Sequence, residues 1–153
     1  MNIILRKATD NDSETIIDFI KKLSEFEKMT DSCNIKTEDL IQLMNEPNGV
    51  NAVIAECNGK AVGMMLYYFF RIATFSGKRV LYIEDIFIDE NMRRNGIGNM
   101  FFDKAKEIAA KENCSRLEWK CLEWNKNAIA FYEKIGGRIS DGWLTYTIER
   151  ENF

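Results

Sequence analysis

Apolar and polar positions change period several times along the chain, and each change marks an element. "IILRKA" (3–8) is a short apolar-rich run that predicts a strand. In "TDNDSETIIDFIKKLSEFEK" (9–28), Ile16, Ile17, Phe19, Ile20 and Leu23 recur at helical spacing, with Thr9 or Asp10 as the N-cap. "KTEDLIQLMNEP" (36–47) predicts a second helix, with Glu38 and Asp39 in its first turn and Pro47, the only proline, at its end. "VNAVIAEC" and "KAVGMMLYYFFRI" flank Asn58-Gly59, the dipeptide that suits a two-residue hairpin turn, and so predict an antiparallel pair. "RVLYIEDIFID" (79–89) is apolar on both faces, the signature of a central strand.

Beyond it, Ile97, Met100, Phe101, Ala105, Ile108 and Ala109 form a helical stripe that ends near Asn113. "SRLEWKCLE" (115–123) then reads as a strand, giving a strand–helix–strand unit whose strands should be parallel with a right-handed crossover. "NKNAIAFYEKIGG" predicts a helix capped by Asn125 and stopped at Gly136-Gly137, and "WLTYTIE" (143–149) a last strand. No repeat or low-complexity linker divides the chain, so residues 1–153 are expected to form a single domain.

Composition narrows the chemistry. No segment approaches the roughly 18 uninterrupted apolar residues of a membrane span, and the N-terminus turns charged too early for a signal sequence, so a cytoplasmic protein without membrane contact is expected. Cys33, Cys57, Cys114 and Cys121 show no metal-ligand spacing and are expected to be free thiols. Histidine is absent, which removes the commonest general base and zinc ligand, and no metal is expected. A net charge of −3 argues against nucleic acid as a partner and favours cationic small substrates.

Within this frame "MRRNGIGNMF" (92–101) stands out. Arg93-Arg94-Asn95-Gly96-Ile97-Gly98-Asn99 follows a strand and opens a helix, where unpaired N–H groups and the positive end of the helix dipole favour an anion. No Gly-Lys-Ser/Thr follows, as a Walker loop requires, and the third glycine of a dinucleotide fingerprint is missing. Glu84 and Asp85 interrupt the central strand just upstream. Adjacent carboxylates there cost desolvation unless they face a polar site, and alternation lets both reach one cleft only if a bulge intervenes.

The pattern R-x-x-G-x-G after a strand, followed by "NKNAIAFYEKIGG", resembles the Gcn5-related N-acetyltransferase (GNAT) superfamily over essentially the whole chain. Within it, "YIEDIFI", "EWN" with "FY", "YYF" (67–69) and "GW" (142–143) are most similar to the diamine (spermidine/spermine) and thialysine acetyltransferases. The resemblance implies an α/β fold with a mixed central sheet of about six to seven strands, flanked by about four helices and splayed between the strand at 80–89 and the strand at 116–122. It implies acetyl-CoA as cosubstrate, held by the backbone of Ile86 and Ile88, by the turn Arg93, Arg94, Asn95, Gly96, Ile97, Gly98 and Asn99, and by Asn125 and Ala128. It also implies that a free amine attacks the thioester directly, that Tyr132 protonates the leaving thiolate, and that Phe26, Glu27, Glu84, Asp85 and Asp141 contact the acceptor. Glu84 is the candidate base, because no histidine exists. A homodimer is expected, as related enzymes commonly pair.

The hairpin tip "FFRIATFSGKR" departs from the diamine enzymes: Ile72, Ala73 and Phe75 stand where an acid and a tryptophan are expected, with Arg71 and Arg79 nearby. That weakens the case for a long polyamine. A small amine, thialysine-like amino acid or polyamine leads as acceptor, followed by a protein N-terminus or lysine. A catalytically idle acyl-CoA sensor would need no Tyr132.

Overall fold

The computed structural model describes every residue except Phe75 and Asp141, so the expectations placed on those two positions lie outside the described residues. The chain folds as two compact units, Met1–Lys120 and Cys121–Phe153. The first contains β1 (Ile3–Lys7), α1 (Ser13–Phe26), α2 (Thr37–Asn45), β2 (Asn51–Cys57), β3 (Lys60–Arg71), β4 (Arg79–Ile88), α3 (Ile97–Lys111) and β5 (Cys114–Trp119). The second contains α4 (Lys126–Lys134).

The strands form one mixed sheet in the order β1-β2-β3-β4-β5, antiparallel except for the parallel β4–β5 pair. Asn58 and Gly59 turn the β2–β3 hairpin with φ of 52° and 80°, the left-handed pair that a tight hairpin turn needs. Both sheet faces are covered. Ala52, Ile54, Met64, Leu66 and Phe87 pack with Ile16, Ile17 and Phe19 of α1 and Leu40 of α2. From alternate positions Val53, Met65, Leu81 and Ile83 are buried, as are Ile97, Phe101, Phe102 and Ala105 of α3. The ring of Phe102 meets Trp119 edge-on at 5.0 Å between centroids.

The N-terminal end of α1 is tied to the sheet by charge. Arg6 of β1 grips Asp12 through two bonds of 2.7 and 2.8 Å and reaches Glu56 of β2 at 2.7 Å. The Asp12 carboxyl, which also accepts from the Thr9 amide at 2.8 Å, is held down at about 2, chiefly by the Arg6 guanidinium.

In the second unit the Asn125 side chain caps α4 by accepting from the Ala128 amide at 3.2 Å, as the sequence predicts. The expected last strand, 143–149, is not among the strands of the described residues. Its alternating β-formers supply propensity, but a strand exists only where a neighbour completes its ladder. The described sheet accordingly has five strands, where six to seven were expected.

Gly63 of β3 is a close-approach position. A Cβ there would lie 2.7 Å from the Phe87 carbonyl oxygen and 3.4 Å from the Ile88 Cα, both backbone atoms of β4. Gly63→Ala should therefore destabilise the fold by about 1–3 kcal/mol in urea unfolding. An unchanged midpoint would show that β3 and β4 can part there without cost.

Candidate active site

β4 changes character halfway along. Its parallel pairing with β5 runs from Arg79–Cys114 to Ile83–Trp119 and stops there. From Glu84 to Ile88 its one strand partner among the described residues is β3. Asp89 donates from its amide to the Val62 carbonyl on β3 at 2.9 Å, so by two-residue alternation the backbone groups of Ile86 and Ile88 point to the opposite, open edge. The parallel pairing thus ends where β5 ends, at Trp119.

At the same point the register slips. Tyr67 faces Ile83 and Leu66 faces Asp85, which leaves Glu84 as an extra residue in a β-bulge. This is the irregularity that two adjacent carboxylates need in order to serve one cleft. Both charges reach the Tyr82 hydroxyl and help to raise its pKa, behind burial, Tyr68 and Glu118. Asp85, half-buried, is pushed up to about 6, first by burial and then by the charges of Glu84 and Glu27. Partial desolvation also raises Glu84 and Glu27, although the Glu84 side chain still reaches solvent. Among the described residues none of these three carboxylates forms a salt bridge. Repulsion of this kind is relieved by a cation.

Sequence reasoning missed the aromatic side of this acidic patch. Tyr68 and Tyr82 are register partners with ring centroids 5.1 Å apart, and Phe70 lies 6.3 Å from Tyr82. Burial is the main cause of a raised pKa at both tyrosines, with Glu84 and Glu118 contributing. The signal was available in the alternation, which sets Tyr82 two residues before Glu84. An aromatic surface beside carboxylates suits an organic ammonium ion.

The glycine turn follows β4 directly. A short 3₁₀ turn (Glu90–Met92) leads into it, and Gly96 caps α3 with φ of 82°. A Cβ on Gly96 would meet no atom within 4 Å, so the backbone conformation and not crowding calls for glycine there. The first bond of α3 runs from the Met100 amide to the Gly96 carbonyl at 3.0 Å, which leaves the amides of Ile97, Gly98 and Asn99 without partners inside the helix. No acidic residue stands in the first turn. Asn95 spends its side chain on the turn itself, donating to the carbonyls of Met92 (3.1 Å) and Arg93 (3.3 Å). Arg93 and Arg94 are exposed. Amides without helical partners at the start of a helix favour an anion, and two exposed arginines precede them in the chain.

Phe26 and Glu27 end α1, and the field of Glu27 at Asp85 brings that helix end to the acidic patch. Asn125, Ala128 and Tyr132 share α4 in the second unit, where the Tyr132 ring meets Phe131 edge-on at 5.6 Å.

The sequence profile of the acetyltransferase (GNAT) family matches residues 17–137. A thialysine N-epsilon-acetyltransferase of Caenorhabditis elegans is 33% identical over 151 residues, spanning 97% of this chain and 92% of that protein. A spermidine/spermine N(1)-acetyltransferase-like protein of Homo sapiens is 29% identical over 158 residues, 96% of this chain but 22% of that longer one. The crystal structure of a possible acetyltransferase from Clostridium difficile 630 superposes with a TM-score of 0.80 at 22% identity, covering 98% of this chain and all of that one, a likeness of fold. With that profile spanning most of the chain and a relative of 33% identity across nearly all of it, the chain belongs to the acetyltransferase (GNAT) family and is an N-acetyltransferase on that family's mixed α/β fold.

Proposed function

We propose that residues 1–153 act as one cytoplasmic N-acetyltransferase domain that moves an acetyl group from acetyl-CoA to a primary amine of a small cationic molecule, by direct attack in a ternary complex. A thialysine-like amino acid or short diamine is the leading acceptor. The observation that carries this reading is the bulge at Glu84, which gathers uncompensated carboxylates beside an open strand edge and an amide-lined anion turn. When bound, acetyl-CoA supplies the activated thioester carbonyl.

The residues then divide the work. The amides of Ile97, Gly98 and Asn99, with Arg93 and Arg94, bind the pyrophosphate, while Ile86 and Ile88 offer backbone groups to the pantetheine arm as a neighbouring strand would. Asn125 and Ala128 serve the same arm. Phe26, Glu27, Asp85 and Asp141 hold the acceptor, and Glu84 takes the ammonium proton through water so that the neutral amine can attack. Tyr132 returns a proton to the departing thiolate. Among the described residues Arg71 and Lys78 at the hairpin tip have no acidic partner, whereas Arg79 pairs with Glu112 at 2.6 Å, and these cations disfavour a long polyamine.

A panel of amines, diamino acids and peptides assayed for thiol release from acetyl-CoA tests the reading. Small cationic amines should outpace peptides. With the best acceptor, Tyr132→Phe should lower kcat by roughly 10²–10⁴-fold, the usual range for a lost proton donor, with acetyl-CoA binding retained. Glu84→Gln should lose less activity as pH rises toward the amine's own pKa. Wild-type kcat in both variants at every pH would refute these roles.

Keeping Asp85 charged costs stability, with a definite pH dependence. Its pKa is raised in the folded chain, to about 6 from an ordinary 3.8, so its contribution is fully present below the lower value and is lost as pH rises through the higher one. Asp85→Asn should therefore be more stable than wild type at pH 8, with the gain shrinking toward zero near pH 4, while acceptor binding weakens. Coincident denaturation curves at pH 8 would contradict the assignment.

A homodimer belongs to the same reading, supported by the exposed apolar side chains of Trp143, Leu144, Tyr146 and Ile148. Light scattering at micromolar concentration should give twice the 17.8 kDa chain mass, and a monomeric mass would exclude it.

A further inference from the structure

One face of α1 is joined to the end of β4 and the glycine turn by three successive contacts. Phe19 stacks on Phe87 at 5.1 Å between centroids, Lys22 approaches Asp89 at 3.8 Å, and the Phe26 ring lies under the guanidinium of Arg93 at 5.5 Å. Positions 19, 22 and 26 fall on one side of a helix, so the seam runs along α1 as residues 87, 89 and 93 run out of β4 into the turn. Its first contact is buried. Its last is at the surface, where Phe26 is 43% exposed.

Arg93 is held from a second direction. Its Nε–H donates to the Ile88 carbonyl at 3.2 Å, which fixes the guanidinium plane beside the open edge of β4. Among the described residues neither terminal nitrogen of Arg93 has a hydrogen-bond partner, and Arg93 precedes by three residues Gly96, the cap of α3, whose first amides have no partner inside the helix. A guanidinium can stack its face on a ring while its edge binds an anion, because the two interactions use different directions.

We infer that Arg93 is a positioning residue that couples the anion turn to the acceptor end of the site: an anion taken by its terminal nitrogens pins the guanidinium over Phe26, and with it the last turn of α1 that carries Phe26 and Glu27. This rests on the proposed function in taking the anion as a pyrophosphate and the helix end as an acceptor contact. Cofactor and acceptor then favour each other's binding, and the coupling is reciprocal. The acidic patch is completed when the cofactor is in place, so an acceptor meets its full site on the loaded enzyme.

The test reads the helix end directly. Hydrogen–deuterium exchange of the amides of residues 24–29 is measured with and without saturating coenzyme A, in the wild type, Phe26→Leu and Phe26→Tyr, with coenzyme A affinity taken from calorimetry. Coenzyme A should slow exchange about threefold in the wild type and in Phe26→Tyr, which keeps a ring, and leave it unchanged in Phe26→Leu. By reciprocity Phe26→Leu should bind coenzyme A no more than about threefold more weakly. Equal slowing in Phe26→Leu and wild type overturns the coupling, as does calorimetric binding with no slowing in the wild type. A wild type that binds no coenzyme A overturns the proposed function itself, and this inference with it.

Discussion

The structure turns on the place where β4 loses one neighbour and slips against the other. Ile83 is the last residue paired to β5, and Glu84, the next, is the extra residue in the ladder with β3. A strand with partners on both sides can offer a ligand only side chains. Here the end of β5 leaves the backbone of Ile86 and Ile88 without a strand partner on that side, where the Ile88 carbonyl accepts from Arg93, and the slip supplies two adjacent carboxylates to one patch. Both effects come from a few residues of a strand otherwise buried in the sheet, and the glycine turn begins five residues after Ile88, at Arg93.

Around that point α1 is secured at each end by an arginine. Arg6 fixes the N-terminal end through a bidentate grip on Asp12, a partly buried pair whose geometry sets it apart from the exposed surface ion pairs. Arg93 meets the other end through the face of Phe26. Between them the buried side chains of Ile16, Ile17 and Phe19 bind the helix to the sheet. Hydrophobic burial therefore carries the helix, and the arginines set where its ends lie. The carboxylates at its far end work against stability when charged, since desolvation raises the pKa of both Glu27 and Asp85.

Much of this was legible in the sequence. The helical stripes of α1 and α3, the Asn58-Gly59 hairpin, the Asn125 cap and the parallel β4–β5 pair follow from period, turn chemistry and spacing, each a local rule acting where tertiary forces agree with it. The bulge was legible as a condition, since Glu84 and Asp85 could share a cleft only if the alternation broke. The aromatic partners of those acids were hidden because Tyr68 and Tyr82 come from different strands, and only the register makes them neighbours. Segment 143–149 misled for the opposite reason: its strand pattern is clear, but a strand also depends on an edge to pair with, and sequence does not announce one.

Whether the open edge of β4 and the glycine turn together receive acetyl-CoA is visible in a crystal structure of the chain with acetyl-CoA bound. Pantetheine amide groups should pair with the backbone of Ile86 and Ile88, the pyrophosphate should sit on the amides of Ile97 to Asn99, and the acetyl carbonyl should turn toward Glu84 and Asp85. A bound cofactor lying away from β4, or a β4 edge closed by another strand of the protein, would contradict it.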